Sequence, residues 1–400
     1  MPKVFPFRAL RPQQDMVDRV TAKSTDFPLK EDLIEEIRNN RFSFHHVTKS
    51  HLSYAGAYQE PEKFLPFAAQ YIKKMKDESI LIKEKQPTFY LYEQVRKDGK
   101  KFKGIIALCS IQDYHNNRIK KHEEIRPSRL KFLVELFKTT KIMGEPTLLA
   151  HNGKINLKNI VSDELLDFKT PDGKRHIVRG VCNPDDMASI QEQMSAIENF
   201  YIADGHHRSA SAAAFNQQVN RLSNDLSMCF IVEEEQLEIL PFHRLIKPVI
   251  EMELDALLGE LSTYFKVTKS EQSVYEVKER HIFGLYVDRQ WYRLEAKESS
   301  DKVDIEILED IVVRKIFGIA DSRTDSQITF HSHSSGENLM TQLVDSKTYN
   351  VAFTSKACSF SEVRMVSDRN QTLPPKSTYI EPKLRAGMII QEFEILPTSS

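Results

Sequence analysis

The stretch that decides the local fold is FYIADGHHRSASAAAF, residues 200–215. Its first three residues predict a short strand, because aromatic and β-branched side chains favour extended backbone. The Ala- and Ser-rich end favours a helix with an unusually small surface, since alanine has the highest helix propensity. The segment therefore predicts a strand, a turn at Asp204 to Arg208, and a helix that begins at the turn.

The turn combines residue types that suit an anion. A helix N-terminus attracts negative charge, Gly205 lets the backbone approach a phosphate closely, and the planar fork of Arg208 matches phosphate oxygens. Asp204 sits where an N-cap would sit, and His206 and His207 supply donors or a proton-transfer group near neutral pH. These five residues predict a phosphate-binding loop. A simple capping turn with surface histidines explains the same pattern, and both interpretations stay open.

Metal binding by the two adjacent histidines is disfavoured. Neighbouring side chains on a helix point about 100° apart, and no third ligand has a spacing that would complete a site. The sequence therefore predicts no resident metal at this turn.

Two other clusters carry polar groups that could take part in chemistry. His122 and Glu123 lie in a charge run after a predicted hairpin and are candidates for a general base, although a solvated charge run is the alternative. His243 and Arg244 end an otherwise apolar strand, where polar residues often line a cleft. A structural histidine is equally consistent with the second cluster. His243 and Arg244 are candidates for contacts to substrate or phosphate.

A third segment, LPPKSTYIEPKLRAG at residues 373–387, mixes two prolines with basic residues in a poorly apolar stretch. Such a segment is normally a surface loop, but functional residues also favour loops. Lys376 is therefore a candidate for a phosphate contact.

Composition excludes several classes of protein. The chain has 400 residues with 56 Lys and Arg against 57 Asp and Glu, so no whole-chain positive field gathers nucleic acid. The four cysteines are scattered without a CxxC spacing, which is typical of a reducing cytoplasm. No apolar run approaches the roughly 18 residues of a membrane span. The P-loop, Rossmann, zincin, α/β-hydrolase and protein-kinase motifs are also missing. We expect a cytoplasmic protein without a membrane partner.

The order of elements predicts an α+β fold with mixed sheets and helices. Predicted strands are Arg41–Val47, Thr88–Val95, Phe102–Ile111, His176–Val181, Met228–Val232 and Leu237–Ile246, with a hairpin at His281–Ala296. Predicted helices are Glu60–Lys76, Ser128–Thr139, Asp185–Ile197, Leu254–Phe265 and Ile305–Phe317. Length favours roughly two to three domains, and we divide the chain into regions 1–165, 166–248 and 249–400, with the last boundary near Pro248.

Seven motifs, in order along the chain, resemble the bacterial and archaeal family known as domain of unknown function 1015. They are VFPFRALRP (4–12), KGIIALCSIQDY (103–114), IKKHEE (119–124), YIADGHHRSA (201–210), ILPFHRLI (239–246), GIADSRTDSQITF (318–330) and LPPKSTYIEPKLRAG (373–387). Two departures are Lys23–Phe27, where relatives carry Pro-Pro-Tyr-Asp-Val, and His331–His333, where they carry Gly-Gly. The first puts a role of the N-terminal loop in doubt, and the second removes glycines that could approach a ligand.

The DGHHR turn also resembles the phosphate-holding segment of ParB-like and sulfiredoxin-like folds and of free-serine kinases. This resemblance implies a nucleotide-binding core followed by a C-terminal α+β lobe. It also implies a phosphotransferase that uses ADP or ATP, with Mg²⁺, on a small hydroxyl metabolite such as free L-serine. A nucleotide-binding regulatory module and a ParB-like nucleic-acid-binding protein are the alternatives, and the near-neutral charge disfavours the second. The sequence leaves the oligomeric state open.

Overall fold

The computed structural model describes residues 1–23, 31–53, 60–219, 225–247, 252–271, 276–298, 300–332 and 337–394. The chain forms two compact units. Unit 1 holds residues 1–121, 125–237 and the C-terminal segment from Pro382, whereas unit 2 holds residues 122–124 and 238–381. The division into 1–165, 166–248 and 249–400 stays a prediction, and Pro248 lies outside the described residues.

The helices of the described residues follow this order along the chain. They are α1 (Val17–Val20), α2 (Glu31–Asn39), α3 (His45–Thr48), α4 (Ser50–Ser53), α5 (Pro61–Asp77), α6 (Ile111–His115), α7 (Pro127–Thr140), α8 (Pro184–Ser195), α9 (His206–Val219), α10 (Leu254–Tyr264), α11 (Asp304–Ile307), α12 (Glu337–Asp345) and α13 (Phe360–Asp368). A π-helix spans Leu308–Ile316 and a 3₁₀ turn spans Glu234–Gln236. Among the described helices, none combines the length and apolarity that a membrane crossing requires.

The strands of the described residues are mostly short. They are β1 (Val4–Phe5), β2 (Leu10–Pro12), β3 (Ala22–Lys23), β4 (Leu81–Lys83), β5 (Phe89–Val95), β6 (Lys101–Ser110), β7 (Ile119–Lys120), β8 (Ile142–Met143), β9 (Thr147–His151), β10 (Asp163–Lys169), β11 (Arg175–Val181), β12 (Phe200–Asp204), β13 (Leu226–Glu233), β14 (Glu238–Leu240), β15 (Phe242–Ile246), β16 (Phe265–Lys269), β17 (Ile282–Val287), β18 (Gln290–Ala296), β19 (Ile328–Ser332), β20 (Val351–Ser355), β21 (Tyr379–Glu381), β22 (Arg385–Ala386) and β23 (Gln391–Glu392). Helices and strands interleave along the chain and the sheets are mixed, so the α+β class is confirmed.

Unit 1 is built on a nine-stranded sheet with the order β10-β11-β5-β6-β13-β9-β12-β7, to which β1 is added beside β6. The predicted hairpin is confirmed as the antiparallel pair β5–β6, joined by a turn in which Gly99 has a φ of +85°. Strand β12 runs antiparallel to β9 and parallel to β7. This sheet therefore carries the DGHHR turn at the end of a strand buried between two neighbours.

The predicted helix after the turn is confirmed as α9, which packs against α7. Ser211, Ala212 and Ala213 are buried in α9, so its small side chains face protein and not solvent. Phe215 of α9 contacts Phe137 of α7 and Phe393, with ring centroids 6.2 Å and 4.9 Å apart. These aromatic contacts fix the helix beside the C-terminal segment of the chain.

Unit 2 contains a six-stranded antiparallel sheet with the order β16-β18-β17-β20-β15-β19. The predicted hairpin is confirmed as the β17–β18 pair. One apolar cluster of the unit joins the sheet to α12, and its buried members are Leu245, Tyr286, Trp291, Met340, Val344 and Ala352. Because successive residues of a strand point to opposite faces, Arg244 and Phe353 lie on the other face.

Three predictions of local structure were wrong or incomplete. Arg41–Val47 is a turn that leads into α3, because Phe44 is fully buried against Gly144 and Gly387 and its neighbours are buried as well. Two strands, β14 and β15, replace the single strand Leu237–Ile246, because they enter different sheets on either side of Pro241. The helix at Ile305–Phe317 is a short α-helix that continues as a π-helix.

Candidate functional site: the DGHHR loop

The DGHHR loop joins the end of β12 to the start of α9. The register of β12 on β9 shifts between Ile202 and Asp204, and a bulge of this kind re-aims the side chain that follows it. Gly205 then has a φ of +96°, a conformation that residues with a Cβ rarely adopt. Helix α9 begins directly at His206, so Gly205 and not Asp204 is the last residue before the helix.

The position of Gly205 is also set by Arg208, whose side chain folds back over it. A Cβ atom added at Gly205 would lie 2.6 Å from Nε, 2.7 Å from Nη2 and 3.0 Å from Cζ of Arg208. Every one of these distances is shorter than a van der Waals contact. The loop therefore needs glycine for its backbone conformation and for the path of the Arg208 side chain.

Four charged side chains meet at this loop. Arg208 donates from Nη2 to Oδ2 of Asp204 at 2.7 Å and forms an ion pair through Nη1 with Glu145. Lys383 donates from Nζ to the other oxygen, Oδ1 of Asp204, at 3.1 Å. Glu145, Arg208 and Lys383 each expose only 14% of the side chain, and Asp204 exposes 26%. We call these four residues the loop ion network.

The network controls the protonation of Asp204. Burial opposes the charged carboxylate, but Lys383 and Arg208 outweigh burial and hold the pKa of Asp204 well below its usual range. Asp204 is therefore ionised at every physiological pH and is a poor general base. Its role in the loop is to hold the two cations in place.

The two histidines of the loop have different surroundings. His206 is 3% exposed, whereas His207 is half-buried. Nε2 of His207 accepts a hydrogen bond of 3.0 Å from the backbone N–H of Arg126, the residue that precedes α7. A ring nitrogen that accepts a bond carries no proton, so this contact specifies the tautomer with hydrogen on Nδ1. His207 thereby ties the start of α9 to the start of α7.

The network depends on residues distant in sequence. Glu145 lies just before β9, whose first residues pair with the end of β12, so the sheet brings it to the loop. Lys383 is brought there because the segment that follows it is anchored in unit 1. Arg385 donates from Nε to Oγ1 of Thr21 at 3.0 Å, and β22 pairs with β3. Sequence reasoning named Lys383 only as part of the segment 373–387 and missed Glu145 altogether.

The remaining candidates belong to unit 2. Lys376 lies with Nζ 5.6 Å from the ring centroid of Phe242, a cation–π distance. His122 is 3% exposed, and its carbonyl oxygen accepts a hydrogen bond of 2.8 Å from the backbone N–H of Leu373, whereas Glu123 is half-buried. The catalytic roles of His122 and Glu123 and the phosphate contact of Lys376 stay predictions.

His243 and Arg244 are both buried in β15, at 7% and 1% exposure. Arg244 donates from Nη1 to the carbonyl oxygen of Phe242 at 3.1 Å, and its Cζ lies 5.3 Å from the ring centroid of Phe330. The described residues offer no acceptor to Nε or Nη2 of Arg244. Burial lowers its pKa to about 10, although the negative charge of Glu309 opposes this shift. Arg244 is thus a buried cation of unit 2.

Glu309 is a buried acidic residue whose negative charge attracts the guanidinium of Arg244. It lies in the π-helix, is 2% exposed, and accepts through Oε1 a hydrogen bond of 2.6 Å from Oγ of Ser322. Ser322 belongs to the GIADSRTDSQITF motif. This motif therefore contributes to a buried polar cluster inside unit 2.

The chemistry of the loop ion network does not suit a resident Mg²⁺ ion. Both carboxylates, Asp204 and Glu145, are already bound to the cations Arg208 and Lys383. In the part of the chain that the structure describes, no three or more His, Cys, Asp or Glu side chains are grouped so that they could hold a metal ion.

The fold and the loop together define an α+β protein in which a strand, a glycine turn and a helix present a charged site. The family model described as protein of unknown function (DUF1015) matches residues 4–316, and the chain belongs to this family. No curated protein matches the chain.

Several solved structures are similar to the chain at low identity. A free serine kinase variant in complex with AMP matches at 13% identity and a TM-score of 0.42, covering 72% of this chain and 91% of that one. A conserved hypothetical protein from Pyrococcus furiosus matches at 14% identity and a TM-score of 0.38, covering 70% and 94%. C-terminally truncated SbnI from Staphylococcus aureus matches at 12% identity and a TM-score of 0.39, covering 69% and 82%. Similarity at these scores does not identify the function of the chain.

Proposed function

We propose that the DGHHR loop binds the phosphates of ADP or ATP, and that the protein is a phosphotransferase acting on a small hydroxyl metabolite. Free L-serine is the first substrate to test. The observation that carries this proposal is the convergence of Arg208, Lys383 and the N-terminus of α9 at one glycine turn. Helix N-termini and basic side chains are the two groups that proteins most often combine to hold phosphate.

The ion network supports binding because it orders the cations before a ligand arrives. Asp204 holds both Arg208 and Lys383, so neither long side chain has to lose its freedom on binding. Both keep 14% of the side chain exposed, so an incoming oxygen can reach them. The two cations and two carboxylates balance, so a phosphate adds negative charge that the α9 dipole would help to stabilise.

The chemical step needs a proton acceptor outside the loop, since Asp204 is paired and held ionised. In the proposed reaction the substrate hydroxyl oxygen attacks the terminal phosphorus, and the bond from that phosphorus to the bridging oxygen breaks. The hydroxyl proton passes to a general base, for which the sequence names Glu123 and His122 as candidates. The leaving group is AMP when ADP is the donor and ADP when ATP is the donor. Mg²⁺ would enter with the nucleotide, because the loop carboxylates do not fit a resident ion.

The test combines binding and turnover. The protein is incubated with serine and ADP or ATP over a range of divalent metals, and phosphoserine is measured by mass spectrometry. Lys383→Met should abolish product and weaken nucleotide binding by at least about tenfold, because it removes a charge-assisted contact. Lys158→Met is the matched control, since Lys158 is an exposed lysine of the same unit. Absence of phosphoserine under all conditions would eliminate the serine version of the proposal.

A nucleotide-sensing module is the second candidate, and one observation favours it. The acidic residue of the loop, Asp204, is fully engaged by cations and is unsuited to accept a proton. Calorimetry separates the two candidates. Nucleotide binding that Arg208→Ala abolishes, with no product from serine or other small hydroxyl compounds, would favour the sensor.

A further inference from the structure

A cavity of about 460 Å³ lies in unit 1, between α2, α5 and the turn that leads into α3. It shares no lining residue with the DGHHR loop or its ion network. A volume in this range is typical of sites for small organic ligands.

The floor of the cavity is apolar and largely aromatic. Phe67, Tyr71 and Met75 follow one another at intervals of four residues on α5, so they share one face of that helix. Phe42 and Ile37 complete the floor from the opposite side, and Phe42, Tyr71 and Met75 are buried. This floor favours a flat apolar group.

The polar atoms beside the floor are already engaged. Tyr71 donates its hydroxyl hydrogen to the carbonyl oxygen of Phe42. His46 bonds through Nε2 to the carbonyl oxygen of Asn40 at 3.0 Å and through Nδ1 to Oγ of Ser53 at 2.9 Å. Burial also lowers the pKa of His46, so the imidazole that lines the cavity is uncharged at pH 7. A ligand with a polar edge would find few partners on the floor.

The rim of the cavity is cationic. Arg38, Arg41 and Lys74 are exposed there. Glu78 also lines the rim and forms an exposed ion pair with Lys74, with Nζ and Oε1 3.8 Å apart, so the rim keeps a net positive charge. The guanidinium carbons of Arg41 and Arg19 lie over the Phe42 ring, 4.5 Å and 4.4 Å from its centroid, so Phe42 holds Arg41 beside the cavity and offers its own faces to cations. The rim therefore favours an acidic group on the ligand.

We propose that this cavity binds a small aromatic carboxylate. The ring lies on Phe67 and Tyr71 of α5, and the carboxylate is held by Arg38, Arg41 and Lys74. An apolar ring matches the floor better than a nucleobase does, because a base would leave its polar edge without partners. The site is thus distinct in ligand chemistry from the phosphate-binding loop.

The test uses 2-naphthoate as the probe and follows binding to the full chain by calorimetry. Wild-type protein should bind one equivalent. Arg38→Gln and Lys74→Met should each weaken binding by about fivefold, as exposed ion pairs do, whereas Lys158→Met should not. Neutral 2-naphthalenemethanol should bind more weakly than 2-naphthoate. Phe67→Ala should weaken both probes, since it removes part of the floor.

Several outcomes would overturn the proposal. They are no saturable binding of 2-naphthoate at millimolar concentration, equal binding of the neutral probe, and binding unchanged in both rim variants. Displacement of 2-naphthoate by ADP in protein that carries Lys383→Met would assign the cavity to nucleotide instead. Because Arg38 and Lys74 are exposed, their variants should keep the wild-type circular dichroism spectrum and melting temperature, so lost binding would not reflect unfolding.

Discussion

Two arginines, one in each unit, have opposite surroundings. Arg208 keeps 14% of its side chain exposed and is paired with the carboxylates of Asp204 and Glu145. Arg244 is 1% exposed, donates to one carbonyl oxygen, and has two nitrogen atoms for which the described residues provide no acceptor. Its negative partner, Glu309, acts on it through electrostatic attraction.

The difference shows which arginine can exchange partners. An oxygen of a phosphate can replace a carboxylate oxygen on Arg208 at modest cost, because the group already reaches water. The guanidinium of Arg244 is desolvated in the folded protein, and the packing around it fixes its position. We therefore expect changes at Arg208 to affect binding most and changes at Arg244 to affect stability most.

The largest expected effect is that of Arg244→Met on the stability of unit 2. Removing one member of a buried charge pair leaves Glu309 uncompensated and should lower the free energy of unfolding by about 3 kcal/mol. Denaturation with urea measures the change. The double variant with Glu309→Gln should recover part of the loss, and wild-type stability in the single variant would contradict the assigned pairing.

Arg208→Gln should have a smaller effect on stability. The group is partly exposed, so the loss should be about 1.5–2 kcal/mol, at the lower end of the range for hydrogen bonds to charged groups. The same urea titration compares it directly with Arg244→Met. If Arg208→Gln destabilised the protein more than Arg244→Met, the inference that Arg208 can exchange its partners and Arg244 cannot would be wrong.

Gly205→Ala tests the path of the Arg208 side chain. The positive φ should cost about 1 kcal/mol, and the clash with Arg208 should add to it. In the double variant with Arg208→Ala the clash is gone, so the combined loss should be smaller than the sum of the single losses. Strict additivity in thermal denaturation would show that Arg208 does not cross Gly205 in solution.

The smallest expected effect is the pH dependence that Asp204 contributes. The folded-state pKa of Asp204 is depressed, so its contribution is present above its unfolded-state pKa near 4 and is lost as the pH falls through the folded-state value. Asp204→Asn should therefore lower stability by about 1 kcal/mol from pH 8 to pH 5. The difference should narrow below pH 4. A gap that opens only above pH 6 would contradict this assignment.

Local patterns predicted much of the fold. The β5–β6 and β17–β18 hairpins and the strand–turn–helix around Gly205 depend on residues close in sequence, and turn chemistry and periodicity report such contacts. Burial from distant residues overrode the pattern at Arg41–Val47, where Phe44 packs between Gly144 and Gly387. The alternation of apolar and polar residues in Arg41–Val47 does not show that the Phe44 ring will pack between two glycines distant in sequence.

The candidate site was predicted only in part for the same reason. The residues of the DGHHR turn could be found because they are contiguous. Glu145 and Lys383 could not, because the pairing of β9 with β12 and the anchoring of the C-terminal segment bring them to Asp204 across long stretches of chain. The residues of a turn do not reveal which distant charges will balance it.

The most direct test of the phosphate-binding loop is a crystal structure of the protein soaked with ADP. We predict that the β-phosphate lies at the N-terminus of α9, within hydrogen-bond distance of Lys383 or Arg208, with Gly205 beside it. Nucleotide bound elsewhere, with Asp204 and Glu145 still holding both cations and no density at the loop, would contradict the central claim.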